Sequence, residues 1–285
     1  MATMTKKKSY GLMTNPAIRR AISNAGEAGF TEERASYAGI IARTSFFLVL
    51  TIIGIFAYVI IHAISMRNGS AVIVNQMDVK GIMSITLTAT DMIGLAVAAV
   101  LTIVFALVSI FAHSIVQVTG SIYCLAEGYL LSFITSSLAE GYRWIGVLAL
   151  VMTIALVGVM LLLYSRQVIR VTARFRMVST VTFLTVIIGG IVIFIMSLIP
   201  PLSGLVAGLA AVMANPVVSI IFSVVFIIIA CMFLVSDFES IHTAVEAGMP
   251  KQSEWILAYG VAYTVLYLYI KILDLLLTIA GNNKK

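Results

Sequence analysis

Four ionisable side chains stand inside apolar stretches of this sequence. Glu127 lies in IYCLAEGYLL, Asp237 follows FLVS, and Lys271 and Asp274 share YLYIKILDLLL. A charged side chain at the centre of a membrane helix costs roughly 2.5–3.5 kcal/mol on insertion scales. Such residues therefore face other helices or a water-filled cavity, where they form ion pairs, bind ions or relay protons.

Counting residues along the helices predicts that Glu127 and Lys271 lie at similar depth. At a rise of about 1.5 Å per residue, Lys271 is about 24 Å and Glu127 about 20 Å from the same membrane boundary. Opposite charges at one depth predict a Glu127–Lys271 ion pair, with Asp274 one turn further along. Two interpretations of this pair stay open: a structural contact that holds helices together, and a site for ions or protons.

One face of the last apolar stretch carries a row of polar side chains. On a helical wheel six of them fall within an arc of about 120°; they are Tyr259, Tyr263, Tyr267, Lys271, Asp274 and Thr278. A row of this kind is expensive to expose to lipid, so it predicts that this helix lies at the centre of a bundle. The three tyrosines are expected to line the polar interior.

Composition supports helices that cross a membrane. Of the 285 residues, 61% are hydrophobic and 11% are charged, about half the charge of a soluble protein. The fold class predicted is an all-α integral membrane protein, a seven-transmembrane-helix bundle with helix seven central. The domain runs over residues 44–281, between a cytoplasmic N-terminal segment with short surface helices (1–43) and a tail (282–285). Its spans are predicted at 44–64, 91–112, 114–137, 144–164, 177–199, 216–236 and 255–280.

The positions of Lys and Arg predict a cytoplasmic N-terminus. Twelve of the 18 basic residues fall on the N-terminal side, five on the other, and Lys271 in the membrane. The twelve are Lys6, Lys7, Lys8, Arg19, Arg20, Arg34, Arg43, Arg166, Arg170, Arg174, Arg176 and Lys251. Arg166, Arg170 and Arg174 are four residues apart and would share one helical face, suited to anionic lipid headgroups. The alternative is that they only anchor the helix on the positive-inside rule.

Other function classes find no support in the residue pattern. The net charge of +6 comes from span ends, without the basic stripe and interleaved aromatic residues of a nucleic-acid surface. His62, His113 and His242 make no spaced cluster for zinc. No catalytic motif is present, and Cys124 and Cys231 are expected to be reduced thiols. The sequence predicts neither an enzyme nor a bound cofactor.

The C-terminal third carries the most specific motif, SDFESIHTAVEAGMPKQSEWILAYG, followed by LYLYIKILDLLL. With TNPAI, IYCLAEGYLL and YSRQVIRVTARFR, it resembles the Bax-inhibitor family (transmembrane Bax inhibitor motif proteins), and in particular a bacterial branch. The resemblance covers nearly the whole chain. It implies a seven-helix bundle with the last helix surrounded by the other six, in a bacterial cytoplasmic membrane. Members are described as pH-sensitive calcium leaks, and one bacterial member restrains a membrane-bound AAA protease.

The resemblance also implies a proton sensor made of one acid in helix six and one in helix seven. Asp237 matches the helix-six acid, whereas Lys271 stands where the helix-seven acid is expected. Two close carboxylates compete to ionise, but an aspartate and a lysine hold each other charged. A locked pair is therefore expected, although the helix count places Asp237 nearer the level of Tyr263, about 12 Å from Lys271. Glu239 could supply a second carboxylate at the inner mouth.

Two function hypotheses follow. The first is a cation or proton pathway, with calcium as a candidate permeant ion and with gating or proton-sensing by Asp237, Glu239, Lys271, Asp274 and Glu127. The second is a non-conducting regulator in the lipid bilayer that binds an AAA-type membrane protease or another integral membrane partner. Its contact surfaces would be the N-terminal segment and the cytoplasmic loops.

Overall fold

A computed structural model describes residues 34–68, 72–79, 83–166, 168, 171–213 and 215–282. Within these ranges, seven helices are long and apolar enough to cross a membrane. In chain order the helices are α1 (Tyr37–Arg67), α2 (Ala89–Phe111), α3 (Val116–Ser136), α4 (Trp144–Ser165), α5 (Ala173–Leu198), the short α6 (Pro200–Met213), α7 (Pro216–Glu246) and α8 (Ser253–Asn282). Short 3-10 turns at His113–Ile115 and Glu140–Tyr142 precede α3 and α4. The all-α, seven-span fold is therefore confirmed.

Two predicted boundaries differ from the structure. Helix α1 begins at Tyr37, capped by the side chain of Ser36, so residues 37–43 are its first turns rather than surface helix. The surface helices expected before residue 34 lie outside the described residues. Helix α7 continues to Glu246, ten residues beyond its predicted end at 236. Gly248, in the left-handed conformation (φ +63°), ends it, as a glycine after a helix commonly does.

A β-hairpin between α1 and α2 is absent from the sequence predictions. Strands β1 (Val72–Val79) and β2 (Met83–Thr88) pair antiparallel, with two irregularities in their register. We call the end of the bundle that carries this hairpin the hairpin end. The opposite end, which carries the turn between α7 and α8 at residues 247–252, is the turn end.

Helices α3 and α8 form the interior of the bundle. In each, 56% of the most apolar 18 residues are buried, against 22% or less in the other five spans. Helix α8 packs against α1, α3, α4 and α7, which confirms that helix seven is central. Helix α2 packs mainly on α3, while α5 contacts α6 and α7 and leaves most of its surface to lipid.

Helices α1 and α3 approach closely through a reciprocal glycine contact. A Cβ on Gly54 of α1 would collide with the backbone carbonyl oxygen of Leu125, and a Cβ on Gly128 of α3 with that of Thr51. Small residues at membrane helix contacts allow such close packing. This contact fixes α3, and with it Glu127, against α1.

Candidate functional site

Glu127 lies in the interior of the bundle, next to a cluster of tyrosine rings. Its side chain is only 7% exposed. It makes no hydrogen bond or ion pair with any other described residue. Glu127 follows Tyr123 by one turn of α3, and the rings of Tyr123, Tyr259 and Tyr263 have their centroids 5.6–6.2 Å apart. The structure therefore combines a buried carboxyl group and three phenols between α3 and α8.

The predicted Glu127–Lys271 ion pair is wrong. Lys271 Nζ lies 4.9 Å from the centroid of the Phe226 ring on α7 and 5.7 Å from that of Tyr267. These are cation–π contacts, and in the described part of the chain Lys271 pairs with no carboxylate. Counting residues predicts the depth of a side chain along its helix but not the direction in which it points around the helix axis. Glu127 points toward the tyrosine cluster, whereas Lys271 points toward α7.

The polar row on α8 divides between two neighbouring helices. Tyr259 and Tyr263 face α3, as the ring contacts with Tyr123 show. Asp274 instead accepts a hydrogen bond from Ser223 Oγ of α7 at 2.9 Å. Residues four apart are displaced by about 40° around a helix, so a row that stays within 120° can still turn from one neighbour to the next. The row predicted a central helix correctly, but it does not line a single cavity.

Asp237 binds α8 through Thr264, whose Oγ1 donates to Asp237 Oδ2 at 2.7 Å. A Cβ added at Gly260 would lie 3.5 Å from Asp237 Oδ1, so this glycine also faces the carboxyl group. The count that placed Asp237 near the level of Tyr263 is thus confirmed. The expectation of an Asp237–Lys271 pair is wrong, because α7 and α8 run antiparallel and bring Lys271 to Phe226, about three turns from Asp237 along α7.

Glu239 joins three helices at the turn end. Tyr164 of α4 donates a hydrogen bond to Glu239 Oε2 at 2.9 Å, and Arg176 Nη2 of α5 lies 3.7 Å from Glu239 Oε1. The carboxylate faces α4 and α5, while Asp237 on the same helix faces α8. The two acids therefore belong to separate contacts.

The shared arginine face predicted for residues 166–174 is wrong. Helix α4 ends at Ser165, and α5 begins anew at Ala173, where the side chain of Thr172 caps its first turn. Arg166 and Arg174 are both exposed but belong to the ends of different helices, and Arg170 lies outside the described residues. A lipid-headgroup role for these side chains stays a prediction.

The sequence analysis missed a buried ion pair at the turn end. Glu254, 1% exposed, contacts Arg43 at 2.6 Å and accepts a hydrogen bond from the backbone N–H of Ser36 at 2.8 Å. A Cβ on Gly39 would collide with the same carboxylate. Glutamate is common at the start of a helix, so the position of Glu254 in the sequence does not predict this contact.

A second missed cluster lies at the hairpin end. Asp91, fully buried, caps the start of α2 with Thr88, and His62 Nδ1 of α1 lies 2.9 Å from Asp91 Oδ2. The motif TATD at the start of an apolar run is a capping-box signal that could have revealed the carboxylate. Its histidine partner comes from another helix. Across the described ranges, no group of three or more His, Cys, Asp or Glu comes together to hold a metal ion.

Comparisons with known proteins agree with the architecture. A search of curated proteins and a search of solved structures return no match. The family model described as Bax inhibitor 1 like matches residues 15–281, nearly the whole chain. This protein is therefore a membrane-spanning member of the Bax inhibitor 1 like family.

Proposed function

We propose that the protein conducts protons or cations slowly through the contact between α3 and α8, with calcium as a candidate permeant ion. The observation that carries this proposal is the buried carboxyl group of Glu127, which has no partner in the described part of the chain. A buried carboxylate is costly unless it is paired or takes up a proton or cation.

The structural interpretation of the intramembrane charges loses its support at this position. It required Glu127 and Lys271 to neutralise each other, but Lys271 lies over the Phe226 ring instead. Glu127 consequently remains available as a binding group. Ionisable side chains inside transmembrane segments commonly mark ion or proton pathways.

Helix α8 connects the two acidic positions of the proposed route. Thr264 binds Asp237, while the adjacent Tyr263 packs against Tyr123 beside Glu127. In this proposal Asp237 controls entry from the turn end, which we place in the bacterial cytoplasm. Glu239 holds α4 and α5 around that entry. Lys271 and Asp274 face α7, outside the α3–α8 contact.

The test is ion entry into liposomes that contain the purified protein, measured between about pH 6 and pH 8. Calcium and proton fluxes are followed with separate trapped dyes, for wild type, Glu127→Gln, Asp237→Asn and Lys271→Met. We expect Glu127→Gln to abolish the leak and Asp237→Asn to change its pH dependence. Lys271→Met is the control, because its ammonium group contacts neither acid, and it should conduct like wild type. Wild-type protein that passes neither ion would contradict the proposal.

A second candidate function is regulation of a membrane partner, such as an AAA-type protease. The contact that favours it is the attachment of residues 34–43 to the α7–α8 turn and to the start of α8. Ala35 N–H donates to Met249 O of the turn at 2.7 Å, and Arg43 pairs with Glu254 in the first turn of α8. A partner that binds the preceding N-terminal residues would thereby act on the central helix. Exposed Arg166 and Arg174, with Arg170, would contact anionic headgroups beside that partner.

Deletion of residues 1–33 separates the two functions. A conduit should keep its liposome leak after the deletion, because Glu127 and Asp237 are untouched. A regulator should lose the membrane partner that copurifies with the full chain. If the deletion leaves such a complex intact, the regulatory proposal is wrong.

A further inference from the structure

We propose that Asp91 and Tyr129 form a binding site for one small ligand at the hairpin end, between α1, α2 and α3. The ligand is either a monovalent cation, which the two oxygens would coordinate, or a water molecule, which would donate hydrogen bonds to them. The site is separate from the proposed α3–α8 route.

Asp91 is fully buried, and the described residues bind only one of its two carboxylate oxygens. Oδ2 accepts hydrogen bonds from Thr88 N at 2.9 Å and Thr88 Oγ1 at 2.8 Å, and lies 2.9 Å from His62 Nδ1. Oδ1 is equally buried and has no partner among the described residues. A buried carboxylate normally uses both oxygens, because an unfilled acceptor costs free energy. This oxygen therefore points to a donor or cation that the described residues do not supply.

Tyr129 provides a second buried oxygen in the same region. Its side chain is 8% exposed, and its hydroxyl group has no partner within the described ranges. The hydroxyl lies against Gly94, where a Cβ would collide with it, and Gly94 is one turn along α2 from Asp91. Positions three apart share a helix face, so both unpaired oxygens lie along the same face of α2.

Aromatic rings close the region on the α1 side. The Tyr58 ring stacks on His62 with centroids 5.7 Å apart and meets the Tyr129 ring edge-on at 5.1 Å. These rings fill the space between α1 and α3 next to the hydroxyl group of Tyr129. The negative charge of Asp91 also favours a cation as the ligand. Among the described side chains, His62 is the only basic group that contacts this carboxylate.

The test uses thermal unfolding of the full chain in nanodiscs, read by a dye that reacts with Cys124 and Cys231 as they become exposed. Melting temperatures of wild type, Tyr129→Phe, Asp91→Asn and the double variant are measured in sodium chloride and in N-methylglucamine chloride of equal ionic strength. We expect Tyr129→Phe to lower the melting temperature by about 2–4 °C, the size of one lost hydrogen bond in a chain of this length. The same substitution should cost less in the Asp91→Asn background, because one ligand serves both groups.

The salt comparison distinguishes the two ligand sources. Wild-type stabilisation by sodium that both single variants lose would identify a cation, and coupled losses without sodium dependence would identify water. An unchanged or raised melting temperature in Tyr129→Phe would overturn the proposal, since removal of a hydroxyl group that binds nothing is not destabilising. Additive effects of the two substitutions would overturn it as well.

Discussion

At the residue scale, the buried carboxylates of Glu254 and Glu127 differ in their hydrogen bonds and ion pairs. Glu254 has an ion pair with Arg43 and hydrogen bonds from Ser36, whereas Glu127 has neither with any residue that the structure describes. A paired carboxylate of this kind is a structural element, because its charge is already compensated. An unpaired one is the better candidate for taking up a proton or cation.

Arg43→Gln should therefore destabilise the fold strongly. It would leave the Glu254 carboxylate, 1% exposed, without its charge partner, at a cost of about 3–5 kcal/mol. Arg176→Gln is the matched control: its partner Glu239 is 23% exposed and 3.7 Å away, so the loss should stay within about 1 kcal/mol. Unfolding in increasing denaturant measures both. If both variants lower the free energy of unfolding by the same amount, the buried Arg43–Glu254 ion pair stabilises the fold no more than the exposed Arg176–Glu239 pair.

At the element scale, backbone contact between α1 and α3 sets where the Glu127 side chain points. Gly54 and Gly128 let the two helices approach until each backbone touches the other. Helix α4 contains a glycine of the opposite kind, Gly158, which has no neighbouring atom within 4 Å of an added Cβ. The same residue type is thus a packing requirement in one helix and a helix-weakening residue in another.

Gly128→Ala should lower the free energy of unfolding by about 1–3 kcal/mol, because the added methyl group meets the rigid carbonyl group of Thr51. Gly158→Ala introduces the same methyl group into open space and should be neutral or slightly stabilising, since alanine favours helix. Denaturant unfolding of the two variants, side by side, provides the measurement. A neutral Gly128→Ala would mean that α1 and α3 can separate without loss.

At the scale of the whole molecule, the seven spans of the described residues place the start of α1 and the end of α8 at opposite ends of the bundle. Helix α1 starts at the turn end, and α8 leaves it and ends at the hairpin end. The distribution of basic residues predicts that the turn end faces the cytoplasm. The attachment of residues 34–43 and the α7–α8 turn then face that compartment together.

Reporter fusions in a bacterial host test this topology. Alkaline phosphatase fused after Lys285 should be active and green fluorescent protein there should be dark, because the C-terminus lies outside. Fusions after Lys251, at the turn end, should give the reverse. Fluorescence from the C-terminal fusion would place that end in the cytoplasm and invert the orientation.

The sequence by itself determined the fold class, the seven spans and the central position of the last helix. The length of each apolar run and the polar row on the last span are local features of the sequence. In a lipid bilayer, such a run must form a spanning helix, and the polar row must face other helices. It also identified Glu127 and Asp237 as acids inside the bundle, because charge inside an apolar run is visible without any structure.

Only the tertiary structure decided which of these charges meet. Depth along a helix follows from counting residues, but the direction of a side chain depends on how each helix is rotated against its neighbours. That rotation directed Lys271 toward α7 and away from Glu127, and it turned Thr264 toward Asp237. The contacts of Glu254 with Arg43 and of Asp91 with His62 join residues 211 and 29 positions apart, and no local pattern encodes a distance of that kind.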